Sequence, residues 1–394
     1  IHTHAPHAAD LVRQYLVNHF GPEAYDRGLH VVTTVQTAQQ EAANYAVSSH
    51  TQELNKIIGP VAKKGQGPFH KIPAKEGLST TYLLHASDHG VYIQDDYIGP
   101  RLLPWKTFLQ RIPPQHHKAI KEWPYPVWQY TQFDQLMNTT ESNAALVTLH
   151  AHSGAVTAMV GGADFNKSVF NRTTSAYRQI GSIVKPLLLS VALEKGMNLA
   201  DQINDSPIVL GDDSQAVVWR PDNVDSIFRG FTSIREGIIK SRNLVAVRLL
   251  EQVSIPSFIE TSELFGFHKN KLHPSESLAL GSGLASPLQT ASAFTAFLNK
   301  GQIHPAYLIA DIKDQYGHVS LPHEPMAAGI YTTAFGEERQ VIGEQTAYVV
   351  HDVLQDVVKR GTARRAKVLA RPDVIGKTGT TNQHRDAWFV GGIG

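Results

Sequence analysis

An α+β fold, an antiparallel sheet covered by helices, is what this sequence predicts, and three observations carry the prediction. Two strand-like runs at residues 145–149 and 155–160 precede a largely helical middle from about residue 181 to 300. Strand-like runs then return at residues 372–380 and 386–391. Strands, then helices, then strands fit one antiparallel sheet with helices laid on it, and not an alternating βαβ chain. Finally, 394 residues with 42% hydrophobic content exceed a typical single core, so about two or three structural units are expected.

The elements follow in order. Residues 8–20 put Ala8, Leu11, Val12, Tyr15, Leu16 and Val17 on one helical face, and Gly21-Pro22 stops the helix. Residues 29–35 are β-branched and read as a strand, after which Thr37 starts a helix that directs Ala38, Ala42, Tyr45 and Ala46 inward. Between residues 59 and 126 short segments are broken by Gly and Pro, which predicts a small β-rich insert. In the run 123–128 two prolines remove backbone donors, so an extended packed connector is expected. Residues 145–149 and 155–160 flank His152-Ser153-Gly154 and predict a hairpin ending in Gly161-Gly162. The last two strands are joined by a polar turn at residues 381–385. The domain expectation is therefore an N-terminal segment 1–58, an insert 59–135 and a main domain 139–394.

Composition narrows the function. Lys and Arg number 36 against 35 Asp and Glu, which gives no electrostatic reason for a nucleic-acid partner. The absence of cysteine excludes a disulfide framework, a thiol nucleophile and thiolate metal ligands. The 20 histidines are scattered, and pairs such as His2/His4 and His116/His117 sit in no H-E-x-x-H frame, so neither metal nor cofactor is expected. No apolar run reaches the ~18 residues of a membrane span. The chain starts at Ile1 with no signal-like stretch, and it reads as a piece of a longer protein.

Three short motifs carry chemistry. Gly181-Ser-Ile-Val-Lys-Pro186 precedes an apolar helix, and Pro186 is tolerated only near a helix start, so Ser182 lies at the N-terminus, where free N–H groups favour negative charge. Lys185 shares its helix face. A serine needs a base to become a nucleophile, and a lysine serves only if burial or a neighbouring cation depresses its pKa. Alone this S-x-x-K pair is an ordinary capped helix with a lysine one turn on. Ser241-Arg-Asn243 adds a hydroxyl and an amide on a loop between two helices. Lys377-Thr378-Gly379-Thr380-Thr381 lies on a strand, where Gly379 allows close backbone approach and Lys377 supplies positive charge to a peptide paired on the edge. The ordered set S-x-x-K, S-x-N and K-T-G is the signature of penicillin-binding proteins and class A β-lactamases.

Beyond the motifs, the chain resembles class A penicillin-binding proteins. Val160-Gly-Gly-Ala-Asp-Phe165, Phe170-Asn-Arg172, Trp219-Arg-Pro-Asp-Asn223, Ser277-Leu-Ala-Leu-Gly281 and Pro287-Leu-Gln-Thr-Ala291 are similar to family sequence, and Thr33-Thr-Val-Gln-Thr37 is similar to the segment that joins the glycosyltransferase and transpeptidase domains. The likeness spans most of residues 8–55 and 139–394; the insert resembles, loosely, the OB-like insert of some Gram-negative members. The resemblance implies a D,D-transpeptidase of the penicillin-binding and serine β-lactamase-like fold. Ser182 would attack the carbonyl between two D-alanines of a stem peptide, Lys185 would accept its proton, and Ser241 would relay a proton to the leaving amine. Asn243 would bind the substrate amide and fix Lys185, Lys377 would set the local field, and Thr378, Gly379, Thr380 and Thr381 would line the substrate. The backbone N–H groups of Ser182 and Thr380 would form the oxyanion hole. Implied partners are stem peptides as D-Ala-D-Ala donor and amine acceptor, β-lactams trapped on Ser182, and cell-envelope activator proteins. The implied place is the periplasmic face of the inner membrane, reached through an upstream anchor and glycosyltransferase domain outside this chain.

Two alternatives share the acylation machinery. A serine β-lactamase of class A would carry an E-x-x-L-N frame to activate a deacylating water, and none lies between Asn243 and Lys377. A β-lactam receptor that acylates without turnover would not need the linking segment at residues 8–55. The chain ends at Gly394, shortly after the K-T-G strand, where the family continues with another strand and a helix.

Overall fold

A computed structural model describes residues 3–64, 81–87, 90–95, 101–103, 106, 128–130, 136–138, 142–209, 219–317, 338–381 and 386–394. The chain divides into two compact units, one made of Ile1–Val47 with Ala144–Gly394 and the other of Ser48–Asn143.

Helix α1 (Pro6–Phe20) starts on a proline, whose missing N–H costs nothing there, and buries Ala8, Leu11 and Val12. It stops at Gly21, whose φ of 64° is outside the helix and whose N–H caps the Val17 carbonyl. Strand β1 (His30–Thr33) is shorter than its β-branched run, and helix α2 (Thr37–Lys64) follows, burying Gln40, Ala43 and Val47 and leaving exposed Ala38, Ala42, Tyr45 and Ala46, the face expected inside. In the second unit β2 (Thr81–Ser87), β3 (Gly90–Asp95), β4 (Arg101–Leu103), β5 (Trp128–Tyr130) and β6 (Leu136–Asn138) form an antiparallel sheet of order β4-β3-β2-β5-β6. The connector expected at 123–127 and the turn at 382–385 lie outside the described residues.

The chain re-enters the first unit as the hairpin β7 (Leu146–Leu149) and β8 (Val156–Val160), with Leu146 opposite Val160. A single turn α3 (Arg172–Ser175), the short strand β9 (Arg178–Gln179) and a 3-10 turn at Gly181–Val184 lead into helix α4 (Lys185–Glu194). The middle that reads as helical also holds an antiparallel pair, β10 (Gln202–Asp205) with β11 (Gly230–Ser233). Helices α5 (Ile234–Ile239), α6 (Asn243–Val253) and α7 (Ile255–Leu264) follow. Strand β12 (Leu284–Ala285) pairs with β9, and helix α8 (Pro287–Thr295) starts on a capping box between Ser286 and Gln289. After β13 (Gln302–Ile303), β14 (Ile309–Lys313) and β15 (Arg339–Gln340), helix α9 (Glu344–Arg360) packs on the hairpin β16 (Val374–Thr380) and β17 (Ala387–Ile393).

The α+β class holds. The antiparallel strands of this unit are distributed over separate two-stranded ladders, β1-β14, β7-β8, β10-β11 and β16-β17 among them, where one continuous sheet was expected. Its main core gathers α4, α6 and α9 through Leu187, Leu188, Val247, Leu250, Val353 and Leu354, all at most 1% exposed. Burying each such side chain is worth roughly 1.5–3 kcal/mol, and the packed helices give the S-x-x-K and S-x-N motifs a stiff floor. A separate apolar cluster joins Leu11 and Val12 of α1 to Val156, Met159 and Leu308, so the N-terminal helix belongs to the unit's interior.

Candidate active site

Ser182 is half-buried in the 3-10 turn at the head of α4, where sequence had put it. The turn is held by backbone. Gly181 has φ 56°, its N–H donates to the Gly281 carbonyl at 3.2 Å, and a Cβ there would lie 2.6 Å from the Thr380 carbonyl oxygen. Gly281, at φ 78°, is more constrained: its Cβ would meet the Gly181 oxygen at 2.0 Å. Gly379 of β16 likewise abuts the Ile180 carbonyl, with 2.6 Å to a built Cβ. The Ser182 turn therefore lies directly against the K-T-G strand, which is possible only without side chains at the crossing.

Lys185 and Lys377 are both fully buried. The Lys185 amine donates to the Ser241 carbonyl at 2.7 Å and to Asn243 Oδ1 at 2.8 Å, and lies 3.3 Å from Ser241 Oγ. Lys377 donates to the same hydroxyl at 3.0 Å and to the Thr378 carbonyl at 3.0 Å. Ser241 is thus a bridge between two amines. Its φ of 56° is unusual for a residue with a side chain, and it lets carbonyl and hydroxyl of one residue face Lys185 together. Among the described residues, Ser182 Oγ makes no hydrogen bond to either lysine.

Burial dominates the electrostatics. Desolvation, then the nearby charges of Lys377 and Arg242, push the Lys185 ammonium well below the ordinary lysine value, with Asp205 opposing them. Desolvation alone lowers Lys377 to about 7. A neutral Lys185 has two N–H groups, and the Ser241 carbonyl and Asn243 amide oxygen take both. Its lone pair is then free to accept a proton. Charged Lys377 has three, of which two are taken within the protein, so one remains for an anion.

The threonines separate. Thr378 Oγ1 donates to Thr362 Oγ1 at 2.7 Å, and Thr380 is exposed at the end of β16. Thr381 is buried, and its hydroxyl accepts from the Asp386 N–H at 2.9 Å, closing the β16-β17 hairpin. Arg178 reinforces that closure with a fork of two bonds to Asp386 at 2.9 and 3.1 Å. Behind the S-x-N loop lies a polar network that sequence reasoning had not assembled. Asp205 Oδ2 accepts from Arg242 Nε at 2.8 Å, Asp205 Oδ1 accepts from Asn223 Nδ2 at 2.8 Å, and Asn223 Oδ1 accepts from the Asn243 N–H at 2.8 Å. Asn223 stood out in the W-x-P-x-N element, whereas Asp205 and Arg242 carried no signal beyond being charged residues near apolar ones.

A family model described as the penicillin-binding protein transpeptidase domain matches residues 144–392. The chain belongs to that family. Penicillin-binding protein 1A of Neisseria lactamica is 32% identical over 98% of this chain and 50% of its own length. Penicillin-binding protein 1A of Vibrio cholerae is 31% identical over 99% of the chain and 54% of its own length. The chain thus spans about half the length of the curated relatives it matches. The crystal structure of penicillin-binding protein 1A from Haemophilus influenzae superposes with a TM-score of 0.70 at 25% identity, covering 98% of this chain and 64% of that one. PonA1 from Mycobacterium tuberculosis shares the fold at TM-score 0.59 and 19% identity. The class A likeness read from the motifs and the segments beyond them is borne out, and this transpeptidase carries it along nearly its whole length. Among the described residues, no helix is long and apolar enough to cross a membrane.

Proposed function

We propose that this transpeptidase cross-links peptidoglycan through an acyl-enzyme on Ser182. The carrying observation is the pair of fully buried lysines that share the Ser241 hydroxyl at 3.3 and 3.0 Å beside the Ser182 turn. The Ser182 hydroxyl attacks the carbonyl between two D-alanines and gives its proton to the lone pair of neutral Lys185. The new ammonium passes a proton through Ser241 to the departing amine, and the C–N bond breaks as the ester forms. The N–H groups of Ser182 and Thr380 receive the oxyanion, a reading supported by the contact of the nucleophile turn with the Thr380 peptide. Lys377 and Thr380 bind the terminal carboxylate, while Thr378, whose hydroxyl donates to Thr362, and Gly379, which leaves room for the Ile180 carbonyl, shape the strand beside the peptide. Thr381 serves the same strand by closing its hairpin.

The amine of a second stem peptide then attacks the ester and releases Ser182, giving the cross-link; water in its place gives a carboxypeptidase outcome. β-Lactams imitate the donor and remain on Ser182. The longer protein of which this chain is a counterpart to about half is a bifunctional synthase at the periplasmic face of the inner membrane, with a glycosyltransferase domain, and activator proteins of the envelope are its partners.

Intact mass after incubation with benzylpenicillin, followed by peptide mapping, tests the reading. One adduct on the peptide carrying Ser182, absent from Ser182→Ala, is expected. An adduct elsewhere, or labelling unchanged in Ser182→Ala, removes the mechanism. Fast turnover of nitrocefin in place of a stoichiometric burst would make the chain a β-lactamase.

A further inference from the structure

The chemistry assigned to Lys185 depends on three atoms delivered by one tripeptide: the carbonyl and hydroxyl of Ser241 and the amide of Asn243. Ser241 is in a left-handed conformation at φ 56°, a state that persists only where the surroundings impose it. What fixes the tripeptide comes from behind.

We propose that Asp205, at the end of β10, is the positioning residue of the transpeptidase site, holding residues 241–243 in the shape that presents Ser241 and Asn243 to Lys185. The inference rests on the acylation chemistry assigned above. Asp205 is completely buried and uses its two oxygens for two different grips on the tripeptide. Oδ2 takes Arg242 Nε at 2.8 Å, gripping the central residue directly. Oδ1 takes Asn223 Nδ2 at 2.8 Å, which orients that amide so that its oxygen receives the N–H of Asn243 at 2.8 Å and of Leu244 at 3.4 Å. Those are the first N–H groups of α6, whose N-cap, Arg242, offers no side-chain acceptor, so Asn223 performs the capping from a distance. The Asp222 carbonyl accepts from Asn243 Nδ2 at 2.8 Å, leaving Oδ1 of that amide turned to Lys185. One carboxylate therefore holds the tripeptide by two routes, through Arg242 and through Asn223, whose Nδ2 also donates to the Ile227 carbonyl at 3.1 Å, while the Asp222 carbonyl orients the Asn243 amide.

Arg242 has a second anionic partner, Asp225, which receives a fork of 2.9 and 2.8 Å but whose side chain is 42% exposed. It also donates to the Ile227 carbonyl. A solvated partner contributes little to holding a buried loop, while a buried one whose loss leaves the guanidinium short of charge contributes much. The two aspartates should thus separate in experiment. The groups facing Lys185 are Lys377, Arg242 and Asp205, and Asp205 is the one that favours its charged form. Removing that carboxylate makes Lys185 easier to deprotonate, so the acid limb of acylation moves to lower pH even as the rate falls.

The test uses the 394-residue chain and the second-order rate of benzylpenicillin acylation, read by mass on the Ser182 peptide from pH 5 to 9. Asp205→Asn, which keeps one side-chain oxygen and so cannot hold both Arg242 Nε and Asn223 Nδ2, is expected to acylate about 10²-fold slower, the scale of an ångström misplacement in a catalytic group, with its acid limb shifted down. Asp225→Asn is expected within about threefold of wild type, as a rim charge. Asp205→Asn that melts earlier but acylates at the wild-type rate with an unmoved profile makes the residue merely structural and overturns the proposal. Equal losses in both variants overturn it as well, by placing the anchor on Arg242 irrespective of partner. If Asp205→Asn does not fold, Arg242→Lys reads the same link, since a lysine keeps the buried charge but not the Nε contact. A similar 10²-fold loss supports the proposal and a wild-type rate refutes it. A wild-type chain that takes no adduct on Ser182 removes the acylation reading, and this inference with it.

Discussion

At the scale of single residues, the site is a problem of where two protons reside. Burial and two cationic neighbours push Lys185 well below the ordinary lysine value, and Lys377, lowered to about 7, stands near half-charged at neutral pH. A carboxylate arriving beside Lys377 favours its charged form and raises that pKa. Between about pH 7 and the raised value, binding therefore takes up a proton; well below 7 the lysine is already charged and nothing is taken up. Calorimetry of Ser182→Ala with a carboxylate-bearing β-lactam, in buffers of different ionisation heat at pH 8, should show this uptake, and Lys377→Met should abolish it. Lys185→Arg gives a complementary outcome. A guanidinium fills the space but does not deprotonate, so acylation is expected to fall about 10²- to 10⁴-fold with no recovery up to pH 9. The motif residues were legible because their chemistry is tied to type and order: a Ser, a Lys one turn on, a second hydroxyl with an amide, and a Lys on a glycine-bearing strand. Asp205 was not, since nothing in a four-residue strand announces which buried carboxylate will face an arginine distant in sequence.

At the scale of elements, the K-T-G hairpin and the turn at the head of α4 are fitted to each other by missing side chains. The Cβ of Gly281→Ala would sit 2.0 Å from the Gly181 oxygen at a φ of 78°. Backbone must move, and a loss of about 3 kcal/mol is expected from urea unfolding, together with slower Ser182 labelling. An Ala at Gly196 is the control, because no atom lies within 4 Å of its built Cβ, and its cost is the strain of φ 86° alone. Periodicity and stop signals revealed α1, the β7-β8 hairpin and the terminal hairpin to within a few residues. They failed for β10 and β11, which lie in a stretch rich in helical pattern. Four-residue strands have too few alternations to stand out, and their pairing is decided by the tertiary network around Asp205.

For the molecule as a whole, the first unit is discontinuous in sequence yet has shared interior. Leu11 of α1, 5% exposed, packs in one cluster with Met159 and Leu308. Leu11→Ala should cost about 2–4 kcal/mol, and loss of benzylpenicillin labelling on heating should follow the same lowered transition as circular dichroism. Labelling that survives beyond the main transition would show that α1 melts separately from the catalytic motifs. Length and composition indicated more than one unit, but not how the N-terminal residues would rejoin the far end of the chain. That depends on which apolar faces meet, and periodicity does not say.

The crossing of Gly181, Gly281 and the Thr380 peptide also limits the paths open to natural variation. Most of an enzyme can drift by gradual steps, a methyl group here and a rotamer there. At a contact of main chain on main chain the smallest available step, one carbon, is already too long. A lineage selected for a different site shape has no graded route through this point, and its adaptations must accumulate around the crossing while the crossing itself stays as it is.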